Sequence, residues 1–253
     1  MDLAHLLATV ALGPVLLMQG RGVRRRTPRL PEAAGPRTGQ CGAGPDLRLL
    51  IVGDSAAAGV GCEHQDDALC GHLVHQLAAQ HTVHWRLEAQ TGRTTADTLA
   101  HLRTLAPQPA DAVLVSLGVN DVTAGLHTAT WLAQQAELVT QLRTLCGTPR
   151  IWLTAVPPVG HFPALPQPLR AYLGAQARRF NRALARWSAS LPDVHVLDPG
   201  LPLDTALMAS DGFHPGPAAH RAWAHAAAQA IRDAGFSAGR PPRPTPPAPA
   251  SAA

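Results

Sequence analysis

Four short blocks of this chain carry the residue types of nucleophilic catalysis. They are Gly53-Asp54-Ser55, Thr91-Gly92, Gly118-Val119-Asn120-Asp121 and Asp211-Gly212-Phe213-His214-Pro215. Each block alone is ordinary turn chemistry, because Gly, Asp, Asn and Ser are all favoured in turns. Together they supply a hydroxyl, an imidazole, carboxylates and an amide. A serine hydroxyl becomes a useful nucleophile when a base removes its proton, so Ser55 needs a His within hydrogen-bond reach. Asp211 stands three residues before His214. In one short loop its carboxylate can fold back onto Nδ1, leaving Nε2 to face the serine. An oxyanion formed by attack on a carbonyl then needs donors. The candidates are the backbone N–H of Ser55, the backbone N–H of Gly92 and the side-chain amide of Asn120.

These blocks must be brought together by the elements that precede them. Residues 47–52 (LRLLIV) form a short run, apolar but for Arg48, as expected for a strand buried on both faces. Residues 83–89, 112–117, 151–156 and 194–197 read as further strands. Residues 66–80, 94–105, 128–146, 169–191 and 217–234 read as helices, with apolar residues at helical spacing. No internal repeat is visible. Five alternating units of this kind predict an open parallel sheet with helices on both faces, an α/β fold with strand order 2-1-3-4-5. In such sheets ligands bind at the carboxyl ends of the strands, near the point where strand order reverses. Three of the four blocks directly follow a predicted strand. The Asp211–His214 block lies in the loop before the last helix.

In this arrangement the four blocks resemble those of the SGNH (GDSL) hydrolases, in the family's order. The resemblance covers about residues 47–234. It implies a three-layer α/β/α, flavodoxin-like fold on a five-stranded parallel sheet. It also implies acyl-ester hydrolysis without metal or organic cofactor. Carried over residue by residue, Ser55 is the nucleophile, Gly92 and Asn120 are oxyanion donors, and His214 is the base with Asp211. One departure is visible. Many members have Leu or Ile after the serine, where this chain has Ala56-Ala57-Ala58-Gly59. Small residues there leave space beside the nucleophile.

Composition narrows the partners. The net charge is +4, and all 21 basic residues are Arg. The excess sits in the two ends, because residues 41–235 hold 13 Arg against 15 Asp and Glu. A nucleic-acid face on the central region is therefore disfavoured. Aromatics are 4% of the chain, too few for base-stacking platforms. The four cysteines match no zinc spacing and read as buried free thiols. His72, His75, His81 and His84 have partial helical spacing but no added carboxylate on the same face, so they are not read as a metal site. Asp54 and Asp121 read as loop hydrogen-bonding residues.

The ends read differently from the centre. Residues 1–26 hold an apolar run interrupted by Gly13-Pro14 and followed by Arg21, Arg24, Arg25 and Arg26. A secretory signal carries its positive charge before the run. Three readings are open: a helix packed on the domain, a segment in peripheral contact with a membrane, and an atypical export signal. The charge order favours a cytoplasmic domain attached to the inner membrane face. Residues 27–46 read as a linker, 47–235 as the hydrolase domain and 236–253 as a disordered Pro-rich tail. The apolar loop 157–168 lies where a lid or acyl pocket would sit. The expected substrate is a small acyl ester of lipid or short-chain type, such as a lysophospholipid. The alternatives are a sugar O-acetyl group, an acyl thioester, or non-catalytic ligand binding on the same fold.

Overall fold

A computed structural model describes residues 3–201 and 204–236, with side chains from Leu12 onward. Among these residues five parallel strands form the centre of one sheet: β2 (Asp46–Gly53), β3 (Thr82–Ala89), β4 (Ala112–Ser116), β5 (Arg150–Thr154) and β6 (Val194–Leu197). Their order is β3-β2-β4-β5-β6, the predicted 2-1-3-4-5. The sheet has six strands rather than five. The additional strand, β1 (Thr38–Cys41), lies antiparallel on the β3 edge. Its sequence TGQC is exposed at every position, so it lacks the apolar alternation by which a strand is recognised. Backbone pairing with β3 holds it there, and it covers an edge that would otherwise offer unpaired backbone groups.

Alternation along β2 feeds two cores. Leu47, Leu49 and Ile51 face the side covered by α2 (Leu69–Ala78) and α7 (Pro217–Asp233), where Leu73, Leu77, Trp223 and Ile231 meet them. Leu50 and Val52 face the other side. That side is covered by α3 (Thr95–Leu102), α5 (Thr128–Cys146) and α6 (Leu169–Ser188). Full burial of a residue such as Ile51 is worth about 1.5–3 kcal/mol. Trp131 of α5 stacks on Phe180 of α6 at 4.1 Å between ring centres, which fixes the two helices against each other. The short helix α4 (Val119–Thr123) follows β4 directly.

The N-terminal segment forms one helix, α1 (Leu3–Arg26), which continues through Pro14. The proline removes a single backbone donor, and the packing of Leu12, Leu16 and Val23 on the α6 side of the core holds the helix beyond it. Gln19 adds a polar clasp. Its amide donates to the Gln167 carbonyl at 2.6 Å and accepts from the Leu169 N–H at 3.1 Å. No helix among the described residues is long and apolar enough to cross a membrane. Residues 27–46, expected to be a linker, contain β1 and are bonded along much of their length to the domain. The expected tail lies mostly outside the described residues.

Candidate active site

The carboxyl ends of β2, β3 and β4 and the loop before α7 converge at one edge of the sheet. Gly53 ends β2 because nothing larger fits. A Cβ there would lie 2.5 Å from the Ala57 Cβ and 2.7 Å from the Ser116 carbonyl oxygen. This close approach lets the Asp54 N–H bond to Ser116 of β4 at 3.1 Å. The chain then turns tightly, with the Ala58 N–H on the Asp54 carbonyl and the Val60 N–H on the Ser55 carbonyl. Ser55 sits at the head of this turn, largely buried.

Three predicted residues form one bonded chain. The Ser55 Oγ lies 2.9 Å from His214 Nε2, and His214 Nδ1 lies 2.6 Å from Asp211 Oδ2. The other Asp211 oxygen accepts the backbone N–H groups of Phe213 and His214 at 2.9 and 3.0 Å. Gly212 makes that turn feasible, because its φ of +64° lies in the left-handed region that other residues avoid. Burial raises the pKa of the Asp211 carboxyl. The bonds from His214 and the two backbone N–H groups outweigh it and hold the group below the usual carboxylate range. Asp211 is therefore an anion that fixes Nδ1–H toward itself and leaves the Nε2 lone pair for Ser55. The Phe213 and His214 rings meet edge to face with 5.3 Å between their centres, and Phe213 packs in turn on Phe162 of the loop after β5.

The two other predicted donors lie on neighbouring loops. Asn120, in the first turn of α4, donates Nδ2–H to the Arg93 carbonyl at 2.9 Å and approaches Asp54 Oδ2 at 3.4 Å. It thus reaches both the turn that carries Ser55 and the turn that carries Gly92. Gly92 is exposed with φ +84°, and no heavy atom lies within 4 Å of where its Cβ would be. Its requirement for glycine is conformational.

Asp54 and Asp121 have bonding roles. Asp54 accepts from the Ala56 N–H at 3.1 Å, and burial pushes its carboxyl up to about 7. Asp121 accepts from the backbone N–H and hydroxyl of Thr95, tying α4 to the start of α3. Of the four thiols, Cys62, Cys70 and Cys146 are buried, whereas Cys41 is exposed on β1, contrary to expectation. His84, one of the spaced histidines, pairs with Asp46 at 2.9 Å. One contact at the site had no sequence signal. Glu32, from the stretch expected to be a linker, accepts the Thr91 N–H at 2.6 Å. Residues 59 positions apart in polar, turn-rich segments carry no periodicity that would pair them.

A cavity of about 470 Å³ lies beside these loops. Its wall includes Ala56, Phe213 and Pro215, the chain neighbours of Ser55 and His214, together with Val156, Phe162 and Trp223. The hydroxyl of Thr154, at the end of β5, is buried in this wall without a hydrogen-bond partner. Asn181 of α6 shapes the rim by bonding both the N–H and the carbonyl of Val156 at 2.8 Å.

Comparison with known proteins agrees with this architecture. Residues 51–222 match the model of the GDSL-like lipase/acylhydrolase family. The chain is 30% identical over 199 residues to the GDSL-like esterase Rv1075c of Mycobacterium tuberculosis; the match covers 75% of this chain and 63% of that protein. The chain thus spans less than two thirds of the length of that relative. Among solved structures, a lipolytic protein of the G-D-S-L family from Veillonella parvula superposes with a TM-score of 0.60 at 14% identity, covering 74% of this chain and 98% of that one. The psychrotrophic esterase EstA of Pseudoalteromonas sp. gives 0.55 at 20%, covering 74% and 97%. The acetylxylan esterase Axe2 of Geobacillus stearothermophilus gives 0.53 at 21%, covering 77% and 96%. With the sheet order, the four loops and the family match in agreement, this chain is a member of the GDSL-like lipase/acylhydrolase family.

Proposed function

We propose that the protein hydrolyses carboxylic esters through Ser55. The observation that carries this reading is the bonded chain Ser55–His214–Asp211, with Asp211 ionised and the serine 2.9 Å from Nε2. In acylation the Ser55 oxygen attacks the ester carbonyl carbon while its proton passes to His214 Nε2. The resulting imidazolium is stabilised by Asp211. The oxyanion is held by the N–H groups of Ser55 and Gly92 and the Asn120 amide. Collapse of the tetrahedral intermediate breaks the bond to the alcohol oxygen, which takes the proton from Nε2. Water, deprotonated by the same nitrogen, then releases the acid and restores the serine.

The cavity supports a reading of the substrate class. Its volume falls in the range of small-molecule pockets, and its walls beside Ser55 and His214 are apolar. This favours an apolar acyl chain over an acetyl group, with the chain lying against Ala56 and Phe213. The outer face of α1 extends the reading to lipid esters. Leu17 and Met18 are 64% and 66% exposed, and the exposed Arg21, Arg24 and Arg25 lie on the same outward side. An exposed apolar pair bordered by arginines suits an anionic lipid surface. Val23 and Arg26 of this helix line a groove with Pro163, Leu165 and Asp211, so a membrane-bound α1 would hold the catalytic loop close to lipid. The arginines follow the apolar run, which suits the cytoplasmic leaflet.

The test is labelling with a serine-reactive alkyl phosphonate beside hydrolysis of a series of p-nitrophenyl esters of increasing chain length. The wild type is labelled at one site and prefers chains longer than acetyl. Ser55→Ala is neither labelled nor active. Labelling or substantial turnover by Ser55→Ala would overturn the reading.

A further inference from the structure

The segment before β2 lies outside the residues matched by the family model, yet it touches two of the loops that build the site. Around Ala33 it is fastened to the turn that carries Ser55. The Ala33 N–H bonds the Ala58 carbonyl at 3.2 Å. The Gln65 side chain donates to the carbonyls of both Ala33 and Ala58, at 3.2 and 3.0 Å. Ala33 is buried against Gly59, where an added Cβ would lie 2.7 Å from that of Ala33. Through the adjacent Glu32 it reaches the turn that carries Gly92. Glu32 Oε1 accepts the Thr91 N–H at 2.6 Å, and Glu32 Oε2 pairs with Arg37 at 2.6 Å. Arg37 in turn donates to the Ala89 carbonyl at the end of β3, at 2.6 Å.

Thr91 and Gly92 are exposed, and open space surrounds the Cβ position of Gly92. Packing therefore does little to hold this turn, and its hydrogen bonds must do so. The turn closes on itself through the Arg93 N–H to the Gln90 carbonyl at 3.3 Å, and on one flank it is held by the Gln90 N–H to the Gly53 carbonyl and the Asn120 amide to the Arg93 carbonyl. On the other flank is Glu32. We infer that Glu32, braced by Arg37, is a positioning residue that fixes the Thr91–Gly92 turn so that the Gly92 N–H points at the developing oxyanion. The contact to Thr91 is a charge-assisted bond to a backbone donor, which is short and strong for its class. Burial raises the Glu32 pKa, but the Thr91 and Arg37 bonds outweigh it, so the group stays ionised in the neutral range. Arg37 neutralises that charge, so Glu32 orients the donor without an uncompensated negative charge facing the oxyanion. The arm thereby couples the nucleophile turn to an oxyanion turn through one short stretch of chain.

This inference rests on the reading of Ser55 as nucleophile and Gly92 as oxyanion donor. The test compares the wild type with Glu32→Ala, Glu32→Gln and Arg37→Ala in the full chain. For each, kcat and KM for p-nitrophenyl butyrate are measured per active site, with sites counted by phosphonate titration and Tm recorded beside them. Removing an oxyanion donor costs about 10²–10³ in kcat, and loosening one should cost less, about tenfold. The expected result is that Glu32→Ala loses about tenfold in kcat per titrated site with KM within about twofold. Glu32→Gln, whose amide oxygen can still accept from Thr91, recovers most of the loss. Arg37→Ala falls between them. Wild-type kcat per site in Glu32→Ala overturns the proposal; so does an equal loss in Glu32→Ala and Glu32→Gln that merely follows Tm. If Glu32→Ala does not fold, unchanged kcat in Arg37→Ala overturns it, and a kcat loss there at constant KM supports it. A wild type that is neither labelled nor active overturns the hydrolase reading itself, an outcome distinct from an active wild type with an indifferent Glu32.

Discussion

Replacing Asp54 by Asn should stabilise the protein, and increasingly so as the pH rises from about 4 to 8. Asp54 is almost fully buried at the end of β2, and its carboxyl is pushed up to about 7 from an ordinary 3.8. Burial is the main cause. The Ala56 N–H and the nearby His214 pull the value down, and Asp121 pushes it up. In the unfolded chain the group ionises near 3.8. Between that value and 7 the folded protein retains a proton that the unfolded chain has released. Stability contributed by the protonated group is thus complete below 3.8 and lost as the pH rises through 7. About three pH units at 1.36 kcal/mol each amount to about 4 kcal/mol. That is a large share of the 5–15 kcal/mol typical of a folded domain. The wild-type profile alone will not reveal it. Buried His220 is pushed down to about 4, and it gives stability that rises with pH between there and 6.5. The difference between Asp54→Asn and wild type removes that contribution, because His220 is common to both. Urea unfolding at about pH 4, 6 and 8, with linear extrapolation, should show the difference moving in favour of the variant by about 4 kcal/mol. A difference that is flat with pH would refute the reasoning. It would mean that the Ala56 N–H and the Asn120 amide, 3.1 and 3.4 Å away, suffice to keep a buried carboxylate ionised at acid pH.

Three further outcomes are expected. If the Asn120 amide binds the oxyanion mainly in the transition state, as proposed, Asn120→Ala should lower kcat by about 10²–10³ with a smaller effect on KM; a strong rise in KM at constant kcat would make Asn120 a substrate-binding residue instead. Ala56→Leu should fill the cavity beside Ser55, lowering hydrolysis of octanoyl esters about tenfold while sparing acetyl esters; an unchanged chain-length ratio would show that the acyl chain lies elsewhere. Wild-type protein should co-sediment with anionic phospholipid vesicles and be released by salt, each Arg contributing about 1 kcal/mol. Combined Leu17→Glu and Arg21, Arg24, Arg25→Gln substitutions should abolish sedimentation without changing hydrolysis of soluble esters, and sedimentation by that variant would rule out α1 as the contact.

What could be read from the sequence depended on whether a residue's role is encoded locally. Residues 47–52 were legible as a central strand because both faces of β2 are buried beyond Arg48, which makes the run apolar at every position but Arg48. The Ser55, Gly92 and Asn120 blocks were legible because an α/β sheet gathers its chemistry where strands end, so strand and site are read in one stretch. Asp211 and His214 are three residues apart, and the Asp211 turn alone nearly fixes their geometry. β1 and Glu32 were not legible. β1 is polar, exposed and held by backbone bonds, and Glu32 acts on a backbone N–H, a group that every residue but proline carries. A side chain that recognises backbone leaves no matching signal in its partner's sequence. Predicted helix ends erred for a related reason. The stretch 66–80 resolves into a single 3₁₀ turn at Gln65–Asp67 and then α2, because His220 of α7 accepts the Leu69 N–H and sets the start of that helix from 151 residues away. The residues proposed to be catalytic were therefore visible one by one. The contacts around them, namely the Ala33–Ala58 bond, the Glu32–Arg37 pair on Thr91 and the His220 bond to Leu69, emerge only once the chain is folded.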